Sequence, residues 1–181
     1  KFSFGVGGKF IKQVIDLASA TSIALDLGLL YQTEDNLRLG ASISNIGPDM
    51  QMKGDGLLAD CDSNNSCYYD TDKWPLPIFY RVGIAKDFKI NELLIVTSSL
   101  DWVIPIDDVE HFNLGFELNY KDKFFMRSGY RQIGKKDTEE GLTFGLGGSI
   151  FLIGKEIEIN YTYQEYGIWG YMQYFEFIFN L

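Results

Sequence analysis

Residues 112–120, FNLGFELNY, place Phe112, Leu114, Phe116, Leu118 and Tyr120 on one side and Asn113, Gly115, Glu117 and Asn119 on the other. A period of two is the pleat of a β-strand, and helical spacing cannot sort residues this way. The same split extends along the chain in both directions. In residues 22–32, Ile23, Leu25, Leu27, Leu29 and Tyr31 oppose Ala24, Asp26, Gly28 and Gln32. In 37–46, Leu39, Ala41 and Ile43 oppose Arg38, Gly40, Ser42 and Ser44; in 78–88, Tyr80, Val82 and Ile84 oppose Arg81, Gly83 and Asp87. Downstream, Leu142, Phe144, Leu146 and Ile150 alternate with Thr143, Gly145, Gly147 and Ser149. Ile157, Ile159, Tyr161 and Tyr163 then alternate with Glu156, Glu158, Asn160, Thr162 and Gln164, and Phe175, Phe177, Phe179 and Leu181 with Tyr174, Glu176 and Asn180. With the less regular segments 2–12, 92–103 and 124–132, about ten strands are expected.

Connection lengths alternate as well. Residues 33–36, 89–91, 121–123 and 153–155 read as short turns, whereas 47–77, 105–110 and 133–140 are longer and more acidic. A turn side and a loop side are the mark of an antiparallel transmembrane β-barrel of the outer-membrane kind. Placing the last strand inward puts the turns in the periplasm and the long loops outside. All 181 residues read as one domain with an extracellular loop at 47–77. The alternative is a soluble extracellular β-sandwich that binds ligands or builds surface structure.

Composition fits this reading. Hydrophobic residues make up 46% and aromatic residues 15%, with Gly 19 against Pro 4, enough for an apolar belt or core and unlike a disordered chain. A mean hydropathy of -0.06 suits a wall whose polar side offsets its apolar side. No uninterrupted apolar run of about 18 residues exists, so a transmembrane helix is excluded while spanning strands are not. The formal net charge of -9 disfavours nucleic acid, because no cluster of Lys and Arg is available to neutralise phosphates. Lys1 opens directly on a strand pattern, which reads as a processed chain or, better, a C-terminal portion.

The runs ALDLGLLYQTEDNLRLGASISNIGPDMQ, LPIFYRVGIAKDF and FNLGFELNYKDKFFMRSGYR resemble the PorV/PorQ family of outer-membrane proteins, relatives of the FadL channels. The resemblance covers most of the chain and implies a larger FadL-like barrel of which this is a part, in the bacterial outer membrane. It also implies a role in type IX secretion, with a translocon and cargo proteins as partners, or in transport of hydrophobic cargo. Outer-membrane lipid is the common partner. No enzyme activity and no cofactor is implied.

Candidate functional residues follow from the polar side. Asp26, Arg38, Arg81, Asp87, Asp101, Glu117, Arg127, Arg131, Glu156, Glu158 and Glu176 are expected to face the lumen and to pair, because an isolated buried charge is costly. In the long loop, Cys61 and Cys67 read as a local disulfide or as two free thiols, the disulfide being preferred. Asp60, Asp62, Tyr68, Tyr69 and Trp74, with Trp169 from a later hairpin, form an expected partner-contact surface. Asp60, Asp62, Asp70 and Asp72 are a weak calcium candidate without EF-hand spacing. His111 stands alone beside Glu110 and Asp108, too little for a zinc site or a catalytic triad, and reads as a rim residue. The glycine runs at 5–8 and 145–149 lack phosphate-loop spacing and are expected inside strands.

Overall fold

The computed structural model describes residues 1–59, 67–136, 138–152 and 155–180. Thirteen strands follow one another: β1 (Phe2–Ile15), β2 (Ala18–Gln32), β3 (Leu37–Ile46), β4 (Lys53–Gly54), β5 (Leu58–Ala59), β6 (Cys67–Tyr68), β7 (Phe79–Asn91), β8 (Leu94–Pro105), β9 (His111–Tyr120), β10 (Phe124–Ile133), β11 (Leu142–Leu152), β12 (Lys155–Glu165) and β13 (Tyr171–Asn180). Short 3-10 turns lie at Asp55–Leu57 and Gly167–Trp169. Ten of the strands form one antiparallel sheet in the order β1-β2-β3-β7-β8-β9-β10-β11-β12-β13, with β4 a short addition on β2; β5 and β6 pair separately. Each long strand is a neighbour of the next, as an up-and-down meander requires.

Local chemistry explains the turns. Lys121 and Asp122 both have positive φ (57 and 52), the backbone of a tight hairpin turn, and Asn119 exchanges hydrogen bonds with Asp122 across it. Asn36 takes φ 59 before β3. The turn expected at 89–91 lies slightly later: β7 continues through Asn91, whose Oδ1 accepts from the Leu93 amide at 2.8 Å and closes the bend. Residues 153 and 154 of the fourth turn lie outside the described residues. At the opposite end, β1 and β2 meet at Asp16 and Leu17, where Asp16 has φ 51. This hairpin overhangs its neighbour, because β2 pairs with β3 only from Leu25↔Ile46 onward, leaving residues 18–24 clear of β3.

The expected ring is not closed. Among the described residues β1 pairs only with β2 and β13 only with β12, so each keeps one edge of backbone N–H and C=O groups unpaired. The path contains an even number of strands, so β1 and β13 run in opposite directions.

Among the described residues no second sheet is stacked on this one. Phe116, Phe144 and Phe177, from β9, β11 and β13, remain 48%, 48% and 58% exposed. The chain presents 13027 Å² of accessible surface at 20.6 kDa, where a folded soluble monomer of that mass presents about 8,900 Å². The excess is mostly apolar: Ile23, Leu25, Leu27 and Leu29 are exposed along one face of β2, while Ala20, Ser22 and Ala24 on its other face are buried. That face of the sheet is greasy and uncovered; the other is polar and partly covered.

Candidate functional site

On the polar face the expected charge network forms in three groups. Lys9 of β1 lies 2.6 Å from Asp26 of β2, and Asp26 also accepts from the Asn45 amide at 2.9 Å. Asn45 has φ 64, a conformation asparagine tolerates, and sits where the β2–β3 register shifts, so Asp26 holds a bulge in β3 just before the long loop. In the centre, Arg38 of β3 reaches Asp87 of β7 at 2.5 Å, and Thr97 of β8 donates to the same carboxylate at 2.9 Å. The third group centres on Arg127 of β10. Its Nε is 2.7 Å from Glu117, and its Nη1 donates to Asn160 of β12 at 2.8 Å. Asn160, only 6% exposed, in turn donates to Glu158 at 2.9 Å and to Glu176 of β13 at 3.1 Å. Four strands are tied together through one arginine and one asparagine.

Glu156 accepts from Ser149, and Arg131 lies 2.9 Å from Glu140 at the loop end. Two members of the expected set stand apart. Among the described residues, neither Arg81 nor Asp101 makes a side-chain hydrogen bond or ion pair. Sequence alternation placed the charges, Ser149 and Asn160 on this face but left Lys9 and Thr97 unassigned, and gave none of these four polar partners a place in the network. Lys9 lies in an irregular strand, and an asparagine between glutamates reads as filler until Arg127 is opposite it.

Among the described residues, one cluster of buried apolar side chains forms, and it lies on the loop side. Ala20 and Ala24 of β2, with Met50 and Leu76 from the long connection, are buried together, and Ile11, Met52 and Trp74 pack against them. Small side chains on the inner face of the β2 overhang let the loop approach the wall. Ser22 Oγ donates to the Pro48 carbonyl at 2.8 Å, Met50 and Trp74 exchange backbone hydrogen bonds at 2.8 and 3.0 Å, and β4 adds Lys53 and Gly54 to β2 at Ser19 and Ala18. A side chain at Gly47 would collide with the Ile23 carbonyl and Leu76, so only glycine passes at this point. The loop therefore folds over the polar face.

Trp74 is half-buried in the cluster, whereas Tyr68, Tyr69 and Trp169 are exposed. Asp60, Asp62 and Cys61 lie outside the described residues; Cys67 is not a free thiol. Asp70 accepts from Gln51 at 2.8 Å, and the described residues contain no group of three or more metal-ligating side chains. His111 is buried at the start of β9 with Nδ1 3.1 Å from the Val109 carbonyl, more enclosed than a rim residue.

Three further connections are linked at the same end. Lys135 lies 2.5 Å from Asp108, joining the β10–β11 and β8–β9 loops. The Lys135 side chain, donating to Asp108, and next the Val109 amide hold that carboxyl below the usual carboxylate range. Glu139 accepts from the Ile168 amide at 2.8 Å, fixing the turn that carries Trp169.

Among the described residues no helix is long and apolar enough to cross a membrane, which leaves crossing by strands open. No family model matches this chain, and no curated protein matches it.

Proposed function

We propose that this chain is lipid-facing wall of an outer-membrane β-barrel, similar to the PorV and FadL-type proteins, acting in type IX secretion or in movement of hydrophobic cargo rather than in catalysis. One observation carries the reading: the sheet leaves a broad apolar face bare while its charges pair on the opposite face. The bare face also has an even height. Tyr80 to Phe88 on β7, Phe112 to Tyr120 on β9 and Tyr171 to Phe179 on β13 each span eight residue-to-residue steps between exposed aromatic rings. At about 3.4 Å per residue and a tilt of about 40°, that span rises about 21 Å, close to the apolar band of about 25 Å in such barrels. Aromatic rings at both ends suit the two headgroup levels.

Within hydrocarbon an unpaired strand edge costs several kcal/mol per backbone group, about what drives complete closure in all such proteins. The reading therefore requires that β1 and β13 be covered, by each other or by further strands. It is tested by solubility and insertion. The purified chain is expected to need detergent and to fold into liposomes with protease protection of its strands. A chain that stays monodisperse without detergent removes the membrane reading and restores the soluble alternative.

A further inference from the structure

Arg81 and Asp101 are the charges on the polar face that the network leaves out. In register, Arg81 of β7 lies between Ser42 of β3 and Val103 of β8, while Asp101 of β8 lies between Gly83 of β7 and Asn113 of β9. The two are diagonal neighbours on adjacent strands, about 7–8 Å apart at the backbone, a gap an arginine side chain spans. Even so, they do not pair. Their nearest equivalents do: Arg38 with Asp87 at 2.5 Å and Arg127 with Glu117 at 2.7 Å, also across this face.

The space around them is kept clear. Gly5, Gly28, Gly40 and Gly83 floor a cavity of 660 Å³ that Arg38, Arg81 and Asp101 line, within the roughly 300–1,000 Å³ of small-molecule sites. A side chain at Gly83 would run into the Asp101 carboxylate, so the glycine lets that carboxylate lie across β7. One wall thus offers unused cationic donors and the other an unused carboxylate.

That pairing of opposite, unspent charges selects among ligands. A simple anion would meet Arg81 but be repelled by Asp101, and a simple cation the reverse; a molecule carrying both charges satisfies both. We propose that this glycine-floored trough binds a small zwitterion, its acid group on Arg81 and its ammonium group on Asp101. The inference rests on the barrel reading only for the trough's place on an inner wall.

Equilibrium dialysis of the folded chain in detergent micelles tests it with three probes: 4-aminobutyrate, butyrate and butylamine. The zwitterion is expected to bind about tenfold more tightly than either singly charged probe. Arg81→Gln should reduce 4-aminobutyrate to the level of butylamine, and Asp101→Asn should reduce it to the level of butyrate. Glu156→Gln, on the same face but outside the trough, should leave all three unchanged. Equal binding of the probes, no binding by folded protein, or variants that keep the preference overturns the proposal; circular dichroism of each sample separates loss of fold from loss of site. A chain that binds the zwitterion but folds without detergent keeps the trough and removes the membrane reading.

Discussion

At the β2 overhang, Met50 is 1% exposed among Ala20, Ala24 and Leu76, as in any soluble core. A few residues further along the same strand, Leu27 and Leu29 stand bare and the polar Asp26 turns inward to Lys9. One strand thus obeys two packing rules. The difference lies in what covers each face: where the long loop supplies methionine, leucine and tryptophan, the wall answers with alanine and serine, and where nothing covers it, the wall gathers its charges on the polar face and pairs most of them. Burial in this molecule is set by the covering element, and the amphipathic pattern alone does not say which side is dry.

The comparison can be broken at its dry corner first. Met50→Ala should cost about 2–5 kcal/mol of local docking, because the side chain is fully enclosed and its removal leaves a cavity. The expected result is rapid proteolysis within the 47–77 loop while the remaining strands keep their protection; a global loss of stability would mean the corner and the wall are one cooperative unit. Next comes the bare face. On the proposed membrane reading, Phe116→Arg is expected to cost about 2–4 kcal/mol in liposomes and Thr162→Arg on the polar face clearly less. Equal costs in chemical denaturation would reverse the assignment of the two faces.

A smaller effect is expected inside the network. Arg127→Gln removes donors from Glu117 and Asn160 and leaves Glu158 and Glu176 close together; with side chains about one-third exposed, a loss of about 1–2 kcal/mol is expected after solvent screening. Adding Asn160→Ala to that variant should cost less than Asn160→Ala alone, since the two share one network. Additive losses would show that Asn160 works independently. The smallest effect concerns the loop rim. Because Lys135 lowers the Asp108 carboxyl in the folded chain, the link contributes above the unfolded carboxylate value of about 3.9 and is lost as pH falls below it. The protection of the Val109 amide, its exchange relative to the intrinsic rate at each pH, should fall there in the native chain but stay constant in Asp108→Asn.

Most of the sheet was legible because period-two alternation is a direct print of the pleat. Phe112 to Tyr120 needed no context, and Asp26, Arg38, Asp87, Glu117 and Arg127 could be placed on one face from parity alone. Partner choice could not. Whether Arg127 meets Glu117 or Glu158 depends on register, and register depends on turns such as Asn91 and bulges such as Asn45, each set by one side-chain hydrogen bond. The inward course of the loop was also hidden. Its only trace is the run Ala18, Ala20, Ser22 and Ala24, small residues where the rest of that face carries Asp26 and Gln32, and the pattern acquires meaning only once Met50 and Leu76 are seen against it.

The Glu139 carboxylate that grips the Ile168 amide has a mechanical consequence. Its loop is also joined through Lys135 to Asp108, so the β8–β9, β10–β11 and β12–β13 connections form one linked row along that end of the sheet. A pull on Trp169, 77% exposed at one end of that row, should strain the joint at Asp108 two hairpins away. The row then carries load from tip to tip, and Glu139→Ala should confine any pull to the tip that receives it.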